Sequence, residues 1–384
     1  VRMVPLGEVV RPVQSWNPRS RPNEPIAYVD LSAVDNQTKA IIAPTSVLGC
    51  DAPSRARQRL NAGDILVSTV RPNLNSVATV PSNLDGATAS TGFTVLRPDV
   101  GRVAGRYLFH WVQAPQFVAD LVRKATGASY PAVSDRIVKE SKVPLPALDE
   151  QRRIAAILDK ADAMRAKRRQ VLAHLDALTQ AIFHDMFGDP NHSQETERFG
   201  DVASLVGGRN LVADDPDAPS DFRVLKISAV TSERFRPAES KPLPLGYVPP
   251  SEHLVRAGDL LMSRANTAEL VGAVALVESE IEHTALPDKI WRFVWLDDQR
   301  VPRFYRALFR TPSMRRRISQ LASGTGGSMK NISKAKLEDL LLPSVPLGRQ
   351  LEFERRARSI PTASAEPLDS LFAALQSRAF RGEL

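Results

Sequence analysis

Ala62-Gly63-Asp64-Ile65-Leu66-Val67-Ser68 recurs 195 positions later as Ala257-Gly258-Asp259-Leu260-Leu261-Met262-Ser263. In both places a Gly-Asp pair precedes an apolar run, the pattern of a tight turn feeding a buried strand, because glycine tolerates positive φ without steric cost. The correspondence continues on both sides. Upstream, YVDLSAVD from Tyr28 aligns with VLKISAVT from Val224 at an offset of 196. Downstream, Ala114-Pro115 aligns with Thr311-Pro312 at 197, and Gly127, Ser134, Pro144, Leu148 and Gln151 align with Gly326, Ser333, Pro343, Leu347 and Gln350 at 199. An offset that drifts this little over most of a half-chain marks a duplication with small loop insertions, so the architecture is two copies of one module.

Each copy has the same internal order. A strand-rich part (GDILVSTVRPN, GDLLMSRAN) is followed by two helical segments, RYLFHWVQ and PQFVADLVRKA in the first copy, PRFYRALFR and PSMRRRISQLA in the second. Pro115 and Pro312 suit the first helical turn, where the missing N–H costs nothing. Small-residue loops (ATGASYPAVS, GTGGSMKNIS) and a Pro-bounded strand (VPLPAL, LLLPSVPL) lead into a long helix. From Asp149 to Phe187 there is no Pro or Gly, and Ile154, Ile157, Ala161, Met164, Arg168, Val171, Leu175, Leu178 and Ile182 recur at spacings of 3 and 4, a heptad seam. Gly188-Asp189-Pro190 stops it. Leu368, Phe372, Leu375 and Ala379 sit at the matching offset of 197 in the second copy, although Pro361 and Pro367 break that helix where the first is continuous. Two equivalent seams in one chain most simply pack on each other, and antiparallel packing puts the strand-rich parts at opposite ends.

The 384 residues, 43% hydrophobic and 24% charged, fit two or three soluble domains at roughly 150 residues each. No run approaches the ~18 apolar residues of a membrane span, and the opening VRMVPLGEVVRP has no signal-peptide core. A lone Cys50 supports neither an intrachain disulfide nor a cysteine-built zinc site, which fits a reducing compartment and makes the cytoplasm the expected location. The net charge of +8 favours a polyanionic partner. Arg303, Arg306, Arg310, Arg315, Arg316 and Arg317 lie in one stretch free of acids, which reads either as a solvated helix face or as an anion-binding surface.

Catalytic constellations are missing from the sequence. There is no GxxxxGK[ST] loop, and the GTGGS at Gly324 lacks the lysine and preceding strand of a phosphate cradle. No amino-methyltransferase Asn-Pro-Pro-aromatic tetrapeptide occurs, and the six histidines show no metal-ligand spacing. Asp217, Glu239 and Lys241 formally spell a magnesium-nuclease pattern, but on Pro-rich, loop-like segments without a counterpart in the first copy. No metal site is expected.

At VPLPALDEQRRIAAILDKADAMRAKRRQ, continuing to FGDP, and at the C-terminal LQSRAFRGEL, the chain resembles the specificity subunits of type I restriction-modification systems, over both halves. The resemblance implies an α+β fold with two similar globular target recognition domains separated by two long antiparallel conserved helices, a coiled coil with an internal pseudo-two-fold repeat. The expected divisions are a first recognition domain over 1–146, a central helix over 147–190, a second recognition domain over 191–345 and a C-terminal helix over 346–384. It further implies a non-catalytic subunit whose domains each read one half of a bipartite, interrupted site in double-stranded DNA. The helices would dock modification methyltransferase subunits, two of them, with restriction and translocase subunits in the full complex. S-adenosylmethionine, ATP and magnesium would belong to those partners, and this chain would hold no cofactor.

Base-edge readers should lie on loops rich in side chains that match base donors and acceptors. The first copy offers Ser68, Thr69, Arg71, Asn73 and Asn75 after the Gly-Asp strand, with Ser129 and Tyr130 in the small-residue loop. The second offers Ser263, Arg264, Asn266 and Thr267, with Thr325, Ser328 and Lys330. Arg315, Arg316 and Arg317 suit phosphate contacts. Each residue also reads as an ordinary turn or capping group. Two alternative functions remain open at this level, a self-contained magnesium-dependent nuclease and a coiled-coil scaffold that binds no DNA.

Overall fold

Gly63 and Gly258 both adopt positive φ, +86° and +90°, as the shared Gly-Asp turn requires. Their N–H groups donate to equivalent carbonyls, Gly63 to Val80 at 2.9 Å and Gly258 to Val277 at 2.8 Å. The aspartates close the turns: Asp64 accepts from the Asn61 N–H and Asp259 from the Arg256 N–H, each at 2.8 Å. The strands that follow, Ile65–Ser68 and Leu260–Ser263, are buried along their whole length. The structure is a computed structural model that describes residues 1–127, 130–211, 213, 219–324, 329–361 and 366–384.

Each of these strands is an inner member of a four-stranded antiparallel sheet. The order is Val10–Arg11, Phe93–Pro98, Ile65–Ser68, Val77–Thr79 in the first copy, and Ala203–Gly207, Ile290–Trp295, Leu260–Ser263, Val274–Leu276 in the second. Side chains alternate between two faces, so Ile65 and Val67 join a helical core while Leu66 joins a second cluster with Val29, Ala78 and Ala89. Leu260 and Met262 are divided from Leu261 in the same way. A second sheet in each copy, four-stranded in the first and three-stranded in the second, carries one parallel pairing, Tyr28 with Thr88 in the first copy and Arg223 with Thr284 in the second. Helices Gly105–Trp111 and Pro115–Lys124, and their counterparts Pro302–Arg310 and Pro312–Leu321, cover the other face with aromatic side chains such as Tyr107, Trp111, Phe304 and Phe309. Pro115 and Pro312 occupy the first helical turn.

The chain divides into two compact units, Val1–Leu172 with Ser364–Leu384, and Ala173–Ala363. The long helix, Leu148–Phe187, is continuous for 40 residues and contributes to both. In the first unit it runs antiparallel to the C-terminal helix Glu366–Arg381: Arg153 donates to the Leu384 carbonyl at 2.8 Å, and Arg165 pairs with Asp369 at 2.6 Å and stacks on Phe372. In the second unit its last turns lie antiparallel to Leu347–Arg358, with Arg349 donating to the Met186 carbonyl and Phe183 packed edge-on against Phe353. These two helices are separate: one ends at Arg358, before Pro361, and the next starts at Glu366 with Pro367 in its first turn. The class is α+β.

The seam is phased differently from the heptad reading. Ile154 is buried, and Ala161, Arg168, Leu175 and Ile182, spaced by sevens from it, are half-buried. The alternate column is not Ile157, Met164, Val171 and Leu178. Met164, Val171 and Leu178 are 57%, 47% and 50% exposed, Ile157 is half-buried, and the buried column is Leu158, Leu172 and Thr179 with the half-buried Arg165. Arg165 and Thr179 hold seam positions because each satisfies its polar atoms there, Arg165 on Asp369 and Asp162, Thr179 by donating to the Leu175 carbonyl at 3.1 Å. On the C-terminal helix, Phe372 and Ala379 are buried with Gln376 and Phe380, while Leu368 and Leu375 are half-buried.

Candidate nucleic-acid interface

In each unit the loop after the buried strand is pinned to the small-residue loop by the same main-chain bonds. In the first, Val70 bridges Ala132, the Val133 N–H donates to the Thr69 carbonyl at 2.9 Å and the Arg71 N–H to the Pro131 carbonyl at 2.7 Å. In the second, Ala265 pairs with Asn331, Asn266 pairs with Lys330, and the Ile332 N–H donates to the Arg264 carbonyl at 2.9 Å. The two candidate loops of each copy therefore form one surface. Tyr107, in the core of the first unit, donates its hydroxyl to the Pro144 carbonyl at 2.8 Å; burial pushes its hydroxyl pKa up.

Within the first surface the polar residues divide by role. Ser68 and Thr69 are buried, and their hydroxyls donate to the Val70 and Gly92 carbonyls. Asn75 takes φ +46°, donates its side chain to the Gln113 carbonyl, and accepts from Lys39 Nζ on its own carbonyl. These three side chains are engaged in hydrogen bonds that shape the loop. Burial, reinforced by Arg165, brings the Lys39 ammonium down to about 8. Arg71, Asn73 and Tyr130 face solvent, with the Arg71 guanidinium 4.5 Å from the centre of the Tyr130 ring. Ser129 lies outside the described residues.

In the second surface Ser263 is fully buried and Arg264 is half-buried, donating Nε to the Asp288 carbonyl at 2.7 Å and lying over Trp291. Both side chains are thus engaged within the unit. Asn266 is half-buried with its Oδ1 accepting from the Thr267 N–H, Thr267 is exposed, and Lys330 donates to the Gly324 carbonyl at 2.9 Å. Thr325 and Ser328 lie outside the described residues. Met329 and Asn331, which the sequence reading passed over, are exposed beside Lys330; they stand in the small-residue loop already singled out, and an exposed methionine carries no polar signal to mark it.

The arginine-rich stretch is neither a solvated face nor an open anion surface. Arg303, Arg306, Arg310 and Arg315 have side chains between 10% and 17% exposed, and each meets an acid distant in sequence. Arg303 pairs with Glu278 at 2.8 Å, Arg310 with Glu233 at 2.8 Å, and both Arg306 and Arg310 approach Asp176 of the long helix, which also pairs with Arg234 at 2.7 Å. Burial first, then the neighbouring Arg310, push the Arg306 guanidinium down to about 10. Arg315 donates to the Glu269 carbonyl and Arg317 to the Leu341 carbonyl, so of the three expected phosphate contacts only Arg316 is exposed without a partner among the described residues. The formal charge of the stretch is largely spent inside the unit.

No group of three His, Cys, Asp or Glu residues is placed to hold a metal among the described residues, and no helix among them is long and apolar enough to cross a membrane. Glu239 of the nuclease pattern accepts from the Ser228 hydroxyl at 2.6 Å and lies 3.8 Å from Lys226, while Asp217 lies outside the described residues.

Residues 54–174 match the family described as the Type I restriction modification DNA specificity domain, a span that includes Arg71, Tyr130 and the start of the long helix. The chain is similar to the EcoEI specificity subunit of Escherichia coli, 28% identical over 40% of this chain and 27% of the relative. It is also similar to the HindI specificity subunit of Haemophilus influenzae, 25% identical over 36% of this chain and 31% of the relative. These matches span less than a third of the relatives' own length. A chain from a solved type I R-M system shares the fold, at 24% identity and a TM-score of 0.51 over all of this chain and 98% of that one. The resemblance to type I restriction-modification specificity subunits, first carried by the helix lead-in and the C-terminus, thus holds in the family match and the curated relatives.

Proposed function

We propose, from the match of residues 54–174 to a type I DNA specificity domain, that this chain is the DNA-recognition subunit of a type I restriction-modification complex. That match is the observation that carries the reading, and the internal repeat extends it to the half it does not cover. Two modules with the same paired-loop surface but different side chains suit two different half-sites of one interrupted sequence. The chain itself catalyses nothing. Methyltransferase subunits, two per complex, supply S-adenosylmethionine chemistry, and restriction and translocase subunits supply ATP and magnesium. Met164 and Val171, seven apart and exposed on the part of the long helix that belongs to the first unit, support partner docking there. A complex of this kind works on DNA in the cytoplasm.

Co-expression with the cognate modification subunit tests the reading. Adenine methylation at one interrupted sequence is expected, and exchange of one recognition domain for that of another such subunit should change one half of the sequence only. Methylation insensitive to both exchanges would overturn it. So would DNA cleavage by the purified chain with magnesium alone, and an assembled complex without salt-dependent DNA affinity would favour the scaffold instead.

A further inference from the structure

We infer that Arg71 is a guanine-reading side chain of the first unit and that Tyr130 is its positioning residue, an inference that rests on the DNA-recognition reading above. Arg71 adopts φ +50°, a left-handed conformation uncommon for a residue with a side chain. The loop enforces it from both sides: the Arg71 N–H donates to the Pro131 carbonyl at 2.7 Å, and the Arg71 carbonyl accepts from the Leu74 N–H at 2.9 Å. Backbone strain of this kind persists only where the surroundings hold it, and it fixes where the side chain leaves the loop. The guanidinium carbon then lies 4.5 Å from the centre of the Tyr130 ring, a cation–π contact, although Tyr130 is itself 68% exposed. No carboxylate pairs with Arg71 among the described residues, in contrast to the arginines of the second unit's helices. No hydrogen bond or ion pair among the described residues occupies the guanidinium N–H groups of Arg71, which leaves free the fork that matches O6 and N7 of guanine in the major groove.

The second unit shows that this arrangement is not a by-product of the frame. The shared loop pairing makes Asn266 the counterpart of Arg71, through Pro131 and Lys330, and Met329 the counterpart of Tyr130. There the cation and the aromatic ring are both replaced while the main-chain bonds persist. The frame needs neither side chain, so their joint presence in the first unit calls for a ligand.

The test uses the full chain assembled with its modification subunits, on duplexes in which each base pair of the first half-site is varied in turn. The wild-type complex should require one G·C pair there. Arg71→Ala and Arg71→Lys should relax that single position by roughly ten- to a hundred-fold, with the rest of the site and the second half-site read as before. Tyr130→Ala should relax the same position by less, without changing the preferred base. Arg71→Lys keeps the charge and decides the matter if Arg71→Ala fails to assemble. A wild-type complex with no G·C requirement in that half-site, unchanged selection in Arg71→Lys, or uniform weakening across all sequences, the mark of a phosphate contact, would each overturn the inference. A wild-type complex with no sequence selection at all would instead sink the recognition reading on which it rests.

Discussion

Gln350 repeats the hydrogen bonds of Gln151, 199 positions earlier. Each is fully buried at the start of its helix, accepts on Oε1 from a main-chain N–H before the module's first helix (Ala104 at 2.9 Å, Val301 at 3.0 Å), and donates from Nε2 to two carbonyls, Arg102 and Pro146 in one unit, Gln299 and Val345 in the other. Removing either side chain leaves buried main-chain groups unpaired. Gln151→Ala and Gln350→Ala should each cost about 1–3 kcal/mol, read as a shift in denaturant midpoint, and equal losses in the two variants would reflect the equal geometry.

The phase of the long helix is testable by one charge at a time. Leu158 is fully buried in the core of the first unit, and Met164 is mostly exposed. Leu158→Asp should lower stability by several kcal/mol through burial of an unpaired carboxylate, whereas Met164→Asp should stay within about 0.5 kcal/mol. Thermal melting of the two variants distinguishes the phases, and the opposite ranking would restore the original seam.

Asp176 carries an outsized share of the second unit's electrostatics. Three arginines, 234, 306 and 310, approach its carboxylate within 3.7 Å, and all are at least two-thirds buried. Asp176→Ala should destabilise that unit by about 2–4 kcal/mol, because the cations stay buried after their counter-charge is gone; Glu233 retains part of the balance at Arg310 and Arg315. Chemical denaturation should show the loss, and a variant as stable as the parent would mean the arginines find water.

Acid should weaken the first unit through His110. The ring is buried, its Nε2 lies 2.7 Å from Asp159 Oδ1, and its Nδ1 is buried without a partner. Burial holds its pKa below the ordinary 6.5, overcoming the opposing pull of Asp159. With the folded value depressed, the unfolded chain takes up the proton first as pH falls through about 6.5, so stability declines below that point and is flat above it on this account. His110→Gln should flatten the slope of unfolding free energy between pH 7 and 5, measured against the parent.

What the sequence made legible is what the main chain imposes on it. Gly63 and Gly258 mark turns only glycine takes easily, Pro115 and Pro312 mark first helical turns, and Gln151 and Gln350 mark a buried clamp, so the repeat could be found by comparing the chain with itself. The arginine stretch misled because its neutralising acids, Glu278, Glu233 and Asp176, lie outside the stretch, the last two more than 60 positions away, and no local pattern announces that they fold against it. The seam slipped by one residue because apolar Met164, Val171 and Leu178 lie on the solvent side while Arg165 and Thr179 lie on the packed side. Ser68, Thr69 and Ser263 stood as reader candidates because a hydroxyl after a strand suits a base edge and a turn equally well; their burial was not legible in the sequence.

The bonds that join the paired loops run from backbone to backbone, Val70 with Ala132 and Ala265 with Asn331, and do not themselves depend on which exposed side chains those loops display. A lineage can rewrite the displayed letters at these spots while the stitching beneath goes untouched. On the DNA-recognition reading proposed above, altered target choice could then arise by substitution at exposed positions of this surface, without trading whole domains.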